Sequence, residues 1–375
     1  MRIAIVDNYY RRFLKQHYSD HEGLAAQIYD RQKNSLIEAR FATSDFYSRH
    51  LGELGCDVVD LIPNCRELQS AWAREHGIPV NSLAFSVPHR FYRVPVAGRL
   101  LAALPGFLDT AMAQIRSIKP DVLFCHDLTF FPPAALRDLK RDVKLVVGQI
   151  ASPLPPTDFV RGFDLILTSF PHFVPRLRAI GVPAEYVKLG FEPSIAEAFR
   201  GIERDIPVSF VGGMAPSHKQ AIPLLEHLAR HTPIRFFGYG VEQLPAQSPI
   251  REKFEGEVWG LEMYRALARS RIAVNRHIAV SENYANNMRL YEATGMGALL
   301  LTENKDNLSD LFDPGREIET YRDRDEAVEK INALLRDNER LERIAAAGNA
   351  RTLREHTFKI RMREILDILN KHVRA

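Results

Sequence analysis

Cysteine is scarce, with only Cys56, Cys65 and Cys125 in 375 residues. An odd and scattered set offers neither a disulfide framework nor the paired spacing of a zinc site, and it suits a reducing compartment. Long apolar runs are missing as well. No stretch approaches the roughly 20 apolar residues that a membrane-spanning helix needs. The opening MRIAIVDNYY is too short an apolar run for a secretory leader, and Asp7 interrupts it, so the expectation is a cytoplasmic protein without an integral membrane segment. Blocks of like charge are absent too: 50 Lys and Arg stand against 47 Asp and Glu, spread through both halves, which excludes a polybasic tail and any nucleic-acid footprint. There is no P-loop, no His-Glu-x-x-His, and no Ser or Cys in a nucleophile elbow. With 46% hydrophobic and 26% charged residues the composition is that of an ordinary globular protein, and the length predicts two domains.

What is present is a strand–helix rhythm that runs twice. Residues 2–6 open as a buried strand and lead into DNYY and the basic pair Arg11 and Arg12. The stretch 19–54 is polar and helical in pattern, long enough for two helices with a break near 41–45. Strand 56–64, stopped by Pro63, and helix 66–76 come next, then an irregular stretch 77–95 and a helix 97–118 that Pro105 and Gly106 kink or split. The runs 121–127, 144–149 and 164–169 are nearly all apolar, as strands covered on both faces are, and 184–189 is a further strand. Segment 190–205 breaks the pattern and reads as a linker. Beyond it strands at 207–213, 234–240, 272–275 and 298–301 alternate with helices at 221–231, 261–269 and from 288. Helices near 304–312, 324–336, 341–355 and 358–373 finish the chain. The restart predicts a second α/β domain.

Chemistry concentrates at four places. In 281–302, SENYANNMRLYEATGMGALLLT, Asn286 and Asn287 offer an N-cap to a short helix ahead of a buried strand. A helix N-terminus at the carboxyl end of a parallel strand is an anion site. Arg289 can reach phosphate oxygens there, and Glu292 can accept hydrogen bonds from two vicinal ribose hydroxyls. The plainer alternative is an exposed i,i+3 ion pair. PVSFVGG ends in Gly212 and Gly213, which let a backbone approach a ligand, and His218 and Lys219 stand at the mouth of the next helix, where a lysine is ordinarily solvated. His277 ends the strand before the 281–302 motif. His126 ends DVLFCHD at the carboxyl edge, where open α/β sheets bind ligands; a strand-end histidine bonded to a neighbouring loop is the competing reading.

The string N-x-x-R-L-Y-E-A-x-G-x-G-A-L-L-L-T, residues 286–302, resembles the nucleotide-binding segment of the CgeB-like glycosyltransferases. These are related to the large GT-B group whose retaining members carry a Glu-x7-Glu motif. The resemblance implies an α/β GT-B fold of two Rossmann-like domains facing each other across a cleft: 1–190, a linker 191–205, and 206–357, with a final helix of about 358–375 packed back on the first domain. It implies a nucleotide-diphosphate sugar as donor and a glycan, protein or small molecule as acceptor, with no metal and no cofactor. In that scheme Glu292 binds the ribose, and Arg289, Lys219 and the amides after Asn287 take the diphosphate. His218 stands in reserve for Lys219, and 254–260 meets the base. His126 and Lys219 are the catalytic candidates, and Asn286, Gly212, Gly213 and His277 complete the donor set. The first Glu of the motif falls on Tyr284, with Glu282 close by. Two other functions fit the same residues: a nucleotide-sugar epimerase of this architecture, which would consume donor without an acceptor, and a non-catalytic nucleotide-sugar-binding protein.

Overall fold

The computed structural model describes residues 1–79, 106–214 and 221–373. His218 and Lys219, most of the irregular stretch 77–95 and the first part of the helix expected at 97–118 lie outside the described residues. The chain gathers into two units, Met1–Thr168 with His172–Tyr186 and Ile365–Ala375, and Ser169–Pro171 with Val187–Glu364.

The first unit is built on a wholly parallel sheet of β1 (Arg2–Val6), β2 (Asp57–Leu61), β3 (Val122–Cys125), β4 (Leu145–Ile150), β5 (Leu165–Thr168) and β6 (Ala184–Tyr186), ordered β2-β1-β3-β4-β5-β6. All residues of β3, β4 and β5 are buried, which is why their sequences are continuous apolar runs rather than alternating ones. The chain steps outward from β1 to β2 and then returns to the other side of β1 for β3. That reversal sets Val6 beside both Leu61 and Cys125 and leaves a crevice at the carboxyl ends of β1 and β3. The basic pair Arg11 and Arg12 starts the helix Arg11–Asp20 rather than a loop, and the helices Tyr29–Glu38 and Phe46–Glu53 come after it. The expected break near 41–45 is a tightly wound turn in which Arg40, Ala42 and Ser44 all have positive φ, at 55°, 51° and 45°.

The second unit repeats the plan with β7 (Ile206–Val211), β8 (Ile234–Phe237), β9 (Phe254–Gly256), β10 (Ser270–Asn275), β11 (Leu299–Glu303) and β12 (Glu319–Tyr321), ordered β12-β11-β10-β7-β8-β9 and parallel throughout. Here the reversal falls between β7 and β10, whose register pairs Val274 with Phe210. One face of the sheet packs Val208, Phe236, Ile272 and Leu299 against Leu225, Leu228, Ile331 and Ile344 of the covering helices. The helix read at 304–312 is only the single turn Leu308–Asp310, because the preceding backbone is used elsewhere: the Asn304 amide donates to Tyr321 O and the Asp306 amide to Asn283 O. Segment 190–205 contains the helix Pro193–Glu197, and Phe191 exchanges backbone hydrogen bonds with His356 and Phe358.

Candidate functional site

The crevice of the second unit is shaped by the loops at the carboxyl ends of β7 and β10. After Val211 the chain passes through Gly212 and Gly213, pinned by the Gly212 amide on Phe237 O at 3.0 Å and the Met214 amide on Tyr239 O at 2.8 Å. The turn after β8 presses against it so closely that a Cβ on Gly238 (φ +124°) would sit 2.1 Å from Gly212 O. Only glycine fits there. The result is a half-buried strip of bare backbone at the reversal point.

The loop 276–288 is held by a chain of buried polar contacts. Asn275 Nδ2 donates to Thr302 Oγ1 (2.9 Å), while Asn275 Oδ1 accepts from Asn287 Nδ2 (2.7 Å). Asn287 Oδ1 in turn accepts from the Leu290 amide at 3.3 Å, so the capping role read from the sequence falls to Asn287, just ahead of the seven-residue helix Arg289–Gly295. His277 is 4% exposed; its Nδ1 accepts from the Asn286 amide and its Nε2 faces Thr302 Oγ1, both at 3.2 Å. Burial, reinforced by the charges of Lys305 and Arg276, pushes the imidazole pKa down to about 3. A neutral ring with both nitrogens occupied orders the loop and leaves no atom for a ligand. The Asn286 side chain differs: it is 5% exposed and its Nδ2 has no partner. Glu282, two residues before Tyr284, has φ +51°, a strained value for a residue with a side chain.

Arg289 and Glu292 do form the i,i+3 pair, at 2.9 Å, but the pair is buried rather than exposed: the two side chains keep 16% and 7% of their surface. Tyr264 donates to the other Glu292 oxygen at 3.4 Å, and burial together with the Glu292 charge holds the Tyr264 phenol far above its usual range, so it remains a donor. Sequence reasoning placed these two residues together but missed the depth at which they meet.

His126 belongs to the first unit, at the reversal between β1 and β3. Its amide donates to Val6 O at 2.9 Å, its ring stands edge-on to Tyr47 at 4.8 Å, and its Nε2 is buried without a partner. Asp7 and Asn8, at the end of β1, were not among the site residues read from the sequence. Asp7 comes directly after β1 and accepts from Thr43 Oγ1 at 2.9 Å; burial raises its pKa although the His126 charge opposes that. Asn8 Nδ2 donates to Asp127 Oδ2 at 2.7 Å, and Asn64 clamps the backbone of Tyr9 from both sides. Asp7 and Asn8 share with His126 a place at the carboxyl end of a strand, and that position was the available signal for them.

Among the described residues no three His, Cys, Asp or Glu side chains are grouped to hold a metal ion. The sequence contains one Asp-x-Asp string, Asp323 and Asp325, but Asp323 caps the helix Arg324–Arg336 by accepting from the amides of Asp325 and Glu326. Among the described residues no helix is long and apolar enough to cross a membrane.

Residues 219–367 match the profile of a family described as glycosyl transferase-like, a span that contains the loop 276–288, Arg289 and Glu292. Comparison with curated protein sequences gives no match. Among solved structures the chain is similar to HepE of Anabaena in complex with UDP and glucose, with 13% identity and a TM-score of 0.60 over 99% of this chain and 100% of that one. It is similar to sucrose-phosphate synthase of Thermosynechococcus elongatus at 11% identity and TM-score 0.59, covering 99% and 98% of the two chains. A glycosyltransferase of Rickettsia africae gives 11% identity and TM-score 0.60 over 99% and 98%. At these identities the likeness is one of fold: two parallel-sheet, Rossmann-like halves with their helices, the GT-B architecture.

Proposed function

We propose that this chain is a metal-independent glycosyltransferase of the CgeB-like branch that takes a nucleoside-diphosphate sugar as donor. The observation that carries the reading is a coincidence of position. The segment with the glycosyl transferase-like profile supplies β10 and its loop, one side of the carboxyl-edge reversal of the second sheet. Bare backbone at Gly212 and Gly213 ends β7 on the other side, and the β10 loop brings a buried, unpartnered Asn286 donor. Open α/β sheets bind nucleotides at such points. HepE, similar in fold, carries UDP and glucose in its structure, which makes UDP the first donor nucleotide to test here.

In this scheme Glu292 takes the ribose hydroxyls, and Arg289, with Lys219 and His218, meets the diphosphate. Asn286 supplies a further donor to it, and His277 and Asn287 hold the loop in place. The chemical demand is stabilisation of the departing diphosphate by fixed positive charge and oriented donors. His126 and Lys219 are the catalytic candidates. The first unit handles the acceptor, a hydroxyl-bearing glycan, protein or small molecule.

Calorimetric titration of UDP and other nucleoside diphosphates into wild type and Glu292→Gln tests the reading. One diphosphate is expected to bind wild type and to bind the variant roughly tenfold more weakly, a loss of about 1.4 kcal/mol. Failure of every nucleotide to bind wild type overturns the donor site. Glu292→Ala is the poorer probe, since removing one partner of a buried pair costs about 3–5 kcal/mol of stability.

A further inference from the structure

The amino ends of β10 and β11, the other end of the sheet from the donor crevice, border a recess of about 330 Å³ within the second unit. That volume lies at the small end of what holds a small molecule. Two arginines line it. Arg204 Nη1 donates to Ser270 O and Nη2 to Met296 O, both at 2.8 Å, so its hydrogen bonds run to backbone oxygens and to no carboxylate. A guanidinium has five N–H groups, and these two bonds leave most of them unspent. Burial by itself lowers the Arg204 pKa, with no anionic neighbour opposing it. Asp205, the next residue, is taken by Arg269 at 2.7 Å, and Glu197 and Glu203 do not line the recess. The exposed Arg200 side chain has no hydrogen bond or ion pair among the described residues.

The helices Gly260–Ala268 and Arg289–Gly295 both end here, and the carbonyls of helix carboxyl ends disfavour anions. In this recess carbonyls at those ends are engaged. Arg204 covers Ser270 O and Met296 O, and Asn349 Nδ2 donates to Thr294 O at 2.9 Å and to Gly295 O at 2.8 Å. The turn after the second helix is shaped around the guanidinium: a Cβ on Gly297, at φ +78°, would lie 2.6 Å from Arg204 Nη2. Phe199, Ile202, Ala268 and Met296 supply apolar wall beside the two cations. A bare phosphate leaves that wall unused, and an uncharged body leaves the guanidinium donors unused. An oxyanion on an apolar body uses both.

We propose that this recess binds a small organic anion, an apolar body bearing one carboxylate or phosphate group, with Arg204 and Arg200 holding the charge. The site is separate from the donor crevice and does not rest on the glycosyltransferase reading.

The test uses the full-length protein, with dissociation constants measured by ligand-observed NMR. The probes are phenylacetate, phenyl phosphate and the uncharged 2-phenylethanol, with inorganic phosphate read by displacement of whichever aromatic anion binds. The proteins are wild type, Arg200→Gln, Ala196→Leu and Glu292→Gln. Ala196 is a half-buried residue of the helix Pro193–Glu197 that lines the recess, so a leucine there fills the space. Arg204 is left in place because it also serves the backbone. At least one aromatic anion should bind wild type, roughly tenfold more tightly than 2-phenylethanol or inorganic phosphate, and the tighter of the two anions identifies the head group. Binding should weaken roughly fivefold or more in Arg200→Gln and in Ala196→Leu, and should persist in Glu292→Gln. If neither aromatic anion binds wild type, or if both recess variants melt and bind as wild type does, the site is wrong. Equal affinity for 2-phenylethanol overturns the charge assignment, and equal affinity for inorganic phosphate overturns the apolar one. Loss of the anion in Glu292→Gln places it at the donor crevice and overturns the proposal. Anion binding that persists in a protein that takes no nucleotide supports the recess while the donor reading falls.

Discussion

Asp60 shows how local burial outweighs a nearby opposite charge. It lies on the edge strand β2, accepts a hydrogen bond from Ser48 Oγ and has Lys33 nearby, yet burial raises its carboxyl pKa to about 6. Lys33 is lowered by the same burial. Burial works against the charged form of each group, while the attraction between them favours it. The native carboxyl binds its proton more tightly than the unfolded one, so its contribution favours the fold below the unfolded pKa near 4 and is lost as pH rises through about 6. Asp60→Asn removes the cost of the buried charge at neutral pH. Urea unfolding should show the variant more stable than wild type by about 1–2 kcal/mol at pH 8, with the gain gone at pH 4. An equal effect at both pH values would show that the charge is not its origin.

At the scale of elements, the helix Arg289–Gly295 depends on a close approach at its end. A Cβ on Gly295 would lie 2.4 Å from the ring of Phe191, which is fully buried and tied by its backbone to His356 and Phe358. The ring has nowhere to go. Gly295→Ala should cost about 1–3 kcal/mol, seen as a lower denaturant midpoint, and, on the proposed donor site, should weaken nucleotide binding because Glu292 sits on the same short helix. A variant with an unchanged midpoint would mean that Phe191 yields. This contact also marks the limit of what the sequence reveals. The central strands β3, β4, β10 and β11 were legible because residues buried on both faces must be apolar in a row. β12, three residues long, was not, since it is a strand only through its pairing with β11. Of the candidate site, the strand-end histidines and the Asn287 cap could be read from local pattern. The depth of Arg289 and Glu292 and the Asn8–Asp127 contact, 119 residues apart in sequence, are products of tertiary packing and leave no local trace.

For the molecule as a whole, the two units should respond unequally to mild acid. In the second unit burial lowers His277 to about 3 and His356 to about 4. Each is neutral in the native state and takes up a proton on unfolding below its ordinary value near 6.5, so stability is complete above that pH and is lost as pH falls toward 3 or 4. Between pH 6.5 and 5 two such groups remove about 3 kcal/mol in sum. In the first unit the same behaviour of His17, at about 4, and of His126, also lowered, is opposed by Asp7 and Asp60, both raised by burial. The signs there offset one another over the same window. Hydrogen exchange followed by mass spectrometry at pH 7 and pH 5, corrected for intrinsic rates, should therefore show protection falling in β10 and β11 while β3 and β4 hold. His277→Gln should flatten the response of the second unit by about half. Equal loss of protection in both sheets would show that the buried histidines do not set the acid limit.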